Sequence, residues 1–201
     1  MPKSRVESFS DCVIAFAITV LILDIHLEDT GVDNAGMIHA LWGLAPRFSV
    51  YVISFLICTV AWVSHHELIH DVDCVDSRFL WLNNLYLMWI AFLPFPTGLL
   101  GRHPAQPVAV ALYGAVCAIT CICSFALRWY ASFQGRLMKK EIGEARLRRD
   151  LRLALYSCLL YLGGMTAGLL LPWLGLFSYA AIPASYAISE LVRRKGNGKA
   201  R

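Results

Sequence analysis

Residues 65–70 read His-His-Glu-Leu-Ile-His, so His66, Glu67 and His70 stand in the H-E-x-x-H pattern. On a helix this spacing sets two imidazoles one turn apart on one face. There they can hold Zn²⁺ while the Glu between them activates a bound water. Hydrolysis by this route also needs a third ligand and an open coordination position. The sequence does not supply them in the usual way. The residue after the second His is the charged Asp71, and Asp73 and Asp76 fill the positions where a Gly and a third His would stand. No Asp occurs in the apolar blocks from residue 79 onwards, so a carboxylate from a later block is missing as well. A membrane zinc protease is therefore the last of three readings. The expectation is no catalytic residue and no resident metal or cofactor, with His66, Glu67 and His70 as polar groups at a helix end.

The surroundings of this stretch are those of a membrane protein. Of 201 residues, 58% are hydrophobic and 16% charged, against about 45–50% and 25% in soluble domains. The mean hydropathy is +0.57. Six blocks approach the roughly 20 mostly apolar residues that a spanning helix needs: 6–25, 48–66, 79–99, 107–133, 151–171 and 173–192. The expected fold is all-α, one domain of six transmembrane helices over residues 1–194, followed by a disordered basic tail at 195–201. The first block is followed by acidic residues and not by a small-residue cleavage site, so no cleaved signal peptide is expected. With the N-terminus on the cytoplasmic side, all of the 18 Lys and Arg residues except Arg47 and Arg102 fall inside, as the positive-inside rule requires. Both termini are then cytoplasmic and the expected location is the plasma membrane. The net charge of +4 is absorbed by this topology. The expected partners are the lipid bilayer and further copies of the chain, with no nucleic acid and no soluble protein. Six of the seven Cys lie in the blocks and Cys74 in an inner loop, so they read as apolar filler without disulfides. Residues 27–46 read as an outer loop carrying Glu28, Asp29 and Asp33, residues 66–78 as a short inner loop, and 134–150 as a charged inner connector. The third span is expected to bend or end at Pro94 and Pro96. Gly164-x-x-x-Gly168 allows close helix packing.

The elements place polar residues at one depth. Ser10 and Asp11 sit about a turn and a half into the first span. The second span runs inward and finishes on Trp62, His65 and His66, and the third begins with Trp81, Asn83 and Asn84. Ionisable groups inside a span are functional hypotheses by default, and buried polar groups need partners. Ser10, Asp11, one of His65 and His66, and one of Asn83 and Asn84 are therefore expected to meet in a hydrogen-bonded layer that clamps the first span. At 100° per residue, Cys12, Phe16, Thr19, Val20 and Leu23 share a face of that span from which Ser10 and Asp11 are turned away.

Arg5-x-x-x-Phe9-Ser10-Asp11, together with Trp62-x-x-His65-His66 and the stretch from Leu80-Trp81-Leu82-Asn83 to Phe92-Leu93-Pro94-Phe95-Pro96-Thr97, resembles the transmembrane protein 175 family of endolysosomal potassium channels and their prokaryotic homologues. The likeness spans roughly the first hundred residues. It implies a single-repeat, homotetrameric potassium channel in which four copies of the first span line the pore, with K⁺ as the permeant ion. The pore then has no Thr-Val-Gly-Tyr-Gly carbonyl filter. Apolar rings take its place, falling on Phe16, Val20 and Leu23, with Thr19 nearby. One feature departs from the pattern: the first constriction is usually Ile or Leu with Phe two residues earlier, and here Ile14 and Phe16 are exchanged. Asp24 and the acidic outer loop are read as concentrating cations at the mouth. The second reading is a proton-coupled secondary transporter that titrates Asp11 and the His pair.

Overall fold

The computed structural model of the protein describes residues 2–27 and 33–197, with side chains through Tyr186. Eight α-helices follow in chain order: α1 (Lys3–Val20), α2 (Asn34–Gly43), α3 (Ala45–Asp71), α4 (Ser77–Phe92), α5 (Pro94–Arg102), α6 (Pro107–Trp129), α7 (Glu144–Leu170) and α8 (Pro172–Asn197). Among the described residues, five helical stretches are long and apolar enough to cross a membrane: Lys3–Asp24, Ala45–Asp71, Ser77–Arg102, Pro107–Gln134 and Glu144–Leu170. They coincide with the first five blocks read from the sequence, and the protein is a multi-pass, all-helical membrane protein. The sixth block lies on α8.

Local sequence explains most boundaries. Asp76 caps α4 by accepting from the Phe79 N–H at 2.8 Å, and Asp33 caps α2 through the Gly36 N–H at 3.0 Å. Proline breaks the third span without ending it. Pro94 opens α5 at a position where its missing N–H would be unpaired in any case, so α5 restarts directly after α4. A tight 3₁₀ turn, Leu21–Asp24, finishes α1, and a π-helical turn, Tyr130–Gln134, finishes α6.

Packing follows the helical stripes. α1 buries Val6, Ser10, Ile14 and Ala17, a spacing of three and four that faces α3 and α4. α6, α7 and α8 form the other half of the bundle. There Gly114, Gly164 and Gly168 let the chains close up: a Cβ on Gly114 would lie on the hydroxyl of Tyr179, one on Gly164 on the hydroxyl of Ser178, and one on Gly168 on Val110. The expected Gly164/Gly168 contact is thus present, with α8 and α6 as its partners.

Several loop expectations change. The outer loop at 27–46 contains α2, whose Met37, Ile38, Leu41 and Trp42 are exposed; ten residues were too few to register as a span. Glu28 and Asp29 lie outside the described residues. The inner loop starts later than expected, because α3 runs on to Asp71 and carries His66, Glu67 and His70 within the helix. The 134–150 connector, for which the sequence left helix open, is non-helical over 135–143, between the π-helical turn that ends at Gln134 and α7, which begins at Glu144. The α3–α4 and α6–α7 loops are stitched together by Asp73 N–H to Leu137 C=O at 2.8 Å and Lys139 N–H to Asp71 C=O at 3.0 Å. Arg146 adds an ion pair to Asp71 at 2.8 Å. The helical backbone of α8 continues through Asn197, past the expected start of the tail; residues 198–201 lie outside those described.

Candidate functional site

The site is built on α1, whose two faces differ in what they meet. On the buried face Ser10 is fully enclosed and accepts from the Asn83 amide N–H of α4 at 3.0 Å. The Asn83 Oδ1 is 2.8 Å from Nε2 of His65 on α3. Since that oxygen is an acceptor, His65 donates through Nε2. Its ring stacks on Tyr86 at 5.4 Å between centroids, and the Tyr86 hydroxyl donates to the Ala61 carbonyl at 3.2 Å. Three helices are tied through Ser10, Asn83 and His65, whose two hydrogen bonds are buried.

A second row joins α1 to the end of α3. Lys3, Glu7 and Asp11 are four residues apart and share a face. Lys3 Nζ donates to the Val72 carbonyl at 2.6 Å. Glu7 lies 3.9 Å from His66 Nδ1. Asp11 accepts from the Trp62 indole N–H at 2.9 Å, and Trp62 stacks on His66 at 5.7 Å.

The opposite face of α1 is largely uncovered among the described residues. Phe16 is 69% and Leu23 72% exposed; Cys12 and Thr19 are exposed and Val20 is half-buried. The Thr19 hydroxyl donates to the Phe16 carbonyl at 2.8 Å, which leaves its oxygen lone pairs as acceptors. Ile14 is fully buried, so the Ile14/Phe16 exchange puts the aromatic ring on the uncovered face and the aliphatic one in the core.

The chain's likeness to known proteins runs along these same elements. The family model described as "Endosomal/lysosomal potassium channel TMEM175" matches residues 5–94. A potassium channel of Streptomyces collinus is 37% identical over 160 residues, covering 77% of each chain. The chain belongs to the TMEM175 family. The crystal structure of a lysosomal potassium-selective TMEM175 homologue from Chamaesiphon minutus superposes with a TM-score of 0.82 at 27% identity, covering 93% of this chain and 97% of that one. The human endosomal/lysosomal proton channel TMEM175 is 31% identical over 125 residues, which is 62% of this chain and 23% of the human one.

Of the TMEM175 signature positions, Ser10, Asn83 and His65 form the enclosed chain, and Asp11, Trp62 and His66 form the row beside it. The single layer expected from the sequence is thus two networks. Asn84 joins neither: it is one residue, hence 100°, further round α4 and is exposed. Arg5 and Phe9 are exposed as well. The H-E-x-x-H residues are likewise separated. His66 faces Glu7 and Trp62, His70 lies 3.5 Å from Asp71, and Glu67 lines a cavity on another side of α3. No group of three metal-holding side chains forms among the described residues.

Asp24, read from the sequence as concentrating cations at the mouth, has a partner within the protomer. Asp24 is paired with Arg102 of α5 at 3.2 Å and sits over Gly98, where a Cβ would come within 2.7 Å of its carboxyl carbon. A further buried chain went unread in the sequence: Thr97 donates to Ser54 at 3.0 Å, and Ser54 is 2.8 Å from the Tyr113 hydroxyl. Hydroxyl residues are ordinary in apolar helices, so only their meeting across α3, α5 and α6 distinguishes these three. At the loop between α3 and α4, the Asp76 carboxyl is held below the usual carboxylate range, chiefly by the hydrogen bond from the Tyr130 hydroxyl.

Proposed function

We propose that the chain is the subunit of a homotetrameric, potassium-favouring cation channel in the plasma membrane, with four copies of α1 around the pore. The observation that carries this reading is the uncovered stripe of Phe16, Thr19, Val20 and Leu23 on the helix whose other faces are clamped to α3 and α4. One chain cannot enclose a pore with one helix, so this reading places several copies of the chain around a common axis. Six spans over residues 1–194, both termini cytoplasmic, complete the proposed topology. The names of the relatives agree in kind: the Streptomyces protein is a potassium channel and the human one a proton channel.

The physics follows from the side chains. Rings of Phe16, Val20 and Leu23 offer an ion no ligands, so a narrow ring gates by dewetting. An ion that holds its water less tightly loses less on passing, which favours K⁺ over Na⁺. The lone pairs of Thr19, between the Phe16 and Leu23 rings, can receive a partly dehydrated cation. The two networks hold α1 at fixed rotation, which keeps its stripe aimed at the axis.

The test is K⁺ uptake into liposomes containing the purified protein, with a proton ionophore balancing charge. Fast uptake, faster with K⁺ than with Na⁺ and altered by Leu23→Ala, is expected. Slow, saturable and pH-coupled uptake would replace the channel by a proton-coupled carrier. Absence of flux from a verified tetramer in both the wild type and Leu23→Ala would overturn both readings.

A further inference from the structure

A chamber of about 390 Å³ lies between α3, α4, α6, α7 and α8, away from the α1 stripe. Volumes of roughly 300–1,000 Å³ are those of small-molecule sites. Its deep end is apolar and aromatic, with Ile57, Ile90, Leu93, Leu160, Tyr161 and Ile182 on the walls. Its other end, on the side of the α1 N-terminus, carries Ser64, Glu67, Ser124, Arg128, Asp150 and Ser157. From Ile57 to Glu67 the rise of α3 amounts to about 15 Å, which is half of a hydrocarbon core of roughly 30 Å. The chamber therefore has the length and the polar-to-apolar direction of one lipid in the leaflet on that side.

The rim carries a buried cation beside carboxylates that do not touch it. Arg128 is buried, at 6% exposure, and its Nη2 donates to the Ser64 carbonyl at 2.9 Å and to the Ser64 hydroxyl at 3.2 Å. The carboxylates whose field reaches it are Asp150, Glu67 and Asp71, but among the described residues none forms an ion pair with it. Asp150 is matched by Arg149 at 3.2 Å and Arg146 at 3.9 Å, and Asp71 by Arg146 at 2.8 Å. Glu67 has no ion-pair partner among the described residues. A buried guanidinium with no carboxylate in direct contact is costly, and an arginine fork suits a phosphate. A cation and an anion at the same rim, neither in a direct ion pair among the described residues, complement a head that carries both charges.

We infer that this chamber binds a zwitterionic phospholipid, with an acyl chain against Ile57, Ile90 and Leu160, its phosphate on Arg128 and its ammonium on Glu67. The inference is independent of the pore reading, because the chamber shares none of the stripe residues.

Native mass spectrometry of the purified protein, exchanged into detergent with equal phosphatidylethanolamine and phosphatidylglycerol, tests it. The wild type is expected to retain phosphatidylethanolamine in preference. Arg128→Gln should lower retention of both lipids about tenfold, as loss of a charge-assisted pair does. Glu67→Gln, at an exposed position, should abolish the preference while leaving total retention in place. Ala154→Phe fills the chamber without touching either charge and should displace both lipids. If Arg128→Gln fails to assemble, the Glu67 and Ala154 variants decide. Equal or greater retention of phosphatidylglycerol by the wild type, a preference unmoved by Glu67→Gln, or retention unmoved by Ala154→Phe would each overturn the assignment.

Discussion

Replacing Asn83 tests the clamp most directly. Asn83→Leu keeps the volume but removes both hydrogen bonds of a side chain that is 1% exposed. The two abandoned partners differ. Ser10 loses only an incoming donor to its oxygen, and its own O–H can still donate to a carbonyl of its helix, so its loss stays near the ~0.6 kcal/mol average of polar pairs in membrane bundles. The His65 N–H is enclosed against Tyr86 and has no such recourse. An orphaned buried donor costs about 1–3 kcal/mol. The orphan therefore dominates, and the expected destabilisation is about 2–3 kcal/mol in total. The double variant Asn83→Leu/His65→Phe leaves no orphan donor and should recover about 1–2 kcal/mol of it. Asn84→Leu is the control, expected within about 0.5 kcal/mol of wild type as an exposed change. Unfolding by sodium dodecyl sulfate in mixed micelles, followed by circular dichroism, measures all three. If Asn83→Leu and Asn84→Leu behave alike, or if the double variant is no more stable than Asn83→Leu, the argument from the buried chain is wrong.

The remaining predictions concern separate parts of the molecule. Phe16→Ile removes the ring from the stripe without touching the core and should raise potassium current in planar bilayers; an unchanged current would argue against Phe16 at a constriction. Gly114→Ala drives a methyl group onto the Tyr179 hydroxyl and should cost about 1–3 kcal/mol by overpacking, measured by the same unfolding titration; no loss would mean that α6 and α8 can part freely. The Asp76 carboxyl titrates below its unfolded value, so its contribution to the α3–α4 loop is complete above the unfolded value and is lost as pH falls through the depressed one. Tyr130→Phe should move that titration upward, read by carbon-13 NMR of Asp76, and an unmoved titration would refute the assigned cause.

The sequence alone determined the membrane architecture, because a spanning helix must be long and apolar whatever it packs against. Proline and glycine announced their local roles for equally local reasons: a missing N–H at Pro94 and a missing Cβ at Gly164 and Gly168. Helical periodicity separated the stripe of Phe16, Thr19, Val20 and Leu23 from the buried side of α1, since 100° per residue holds in any environment. It did not find α2, which is too short to span, nor end α3 correctly, since the polar run after His65 is compatible with helix or loop. The choice of partners belonged to the tertiary structure. Asn83 and Asn84 are the same residue type at the same depth, and only the rotation of α4 against α1 and α3 sends one to Ser10 and His65 and the other outward. The partner of Asp24 was not legible in the sequence, since only the packing of α5 brings Arg102 beside it. Thr97, Ser54 and Tyr113 are scattered in sequence and meet only because three helices cross there. Rotation and crossing angle are set by how all the side chains of a bundle fit at once, and no single helix encodes them.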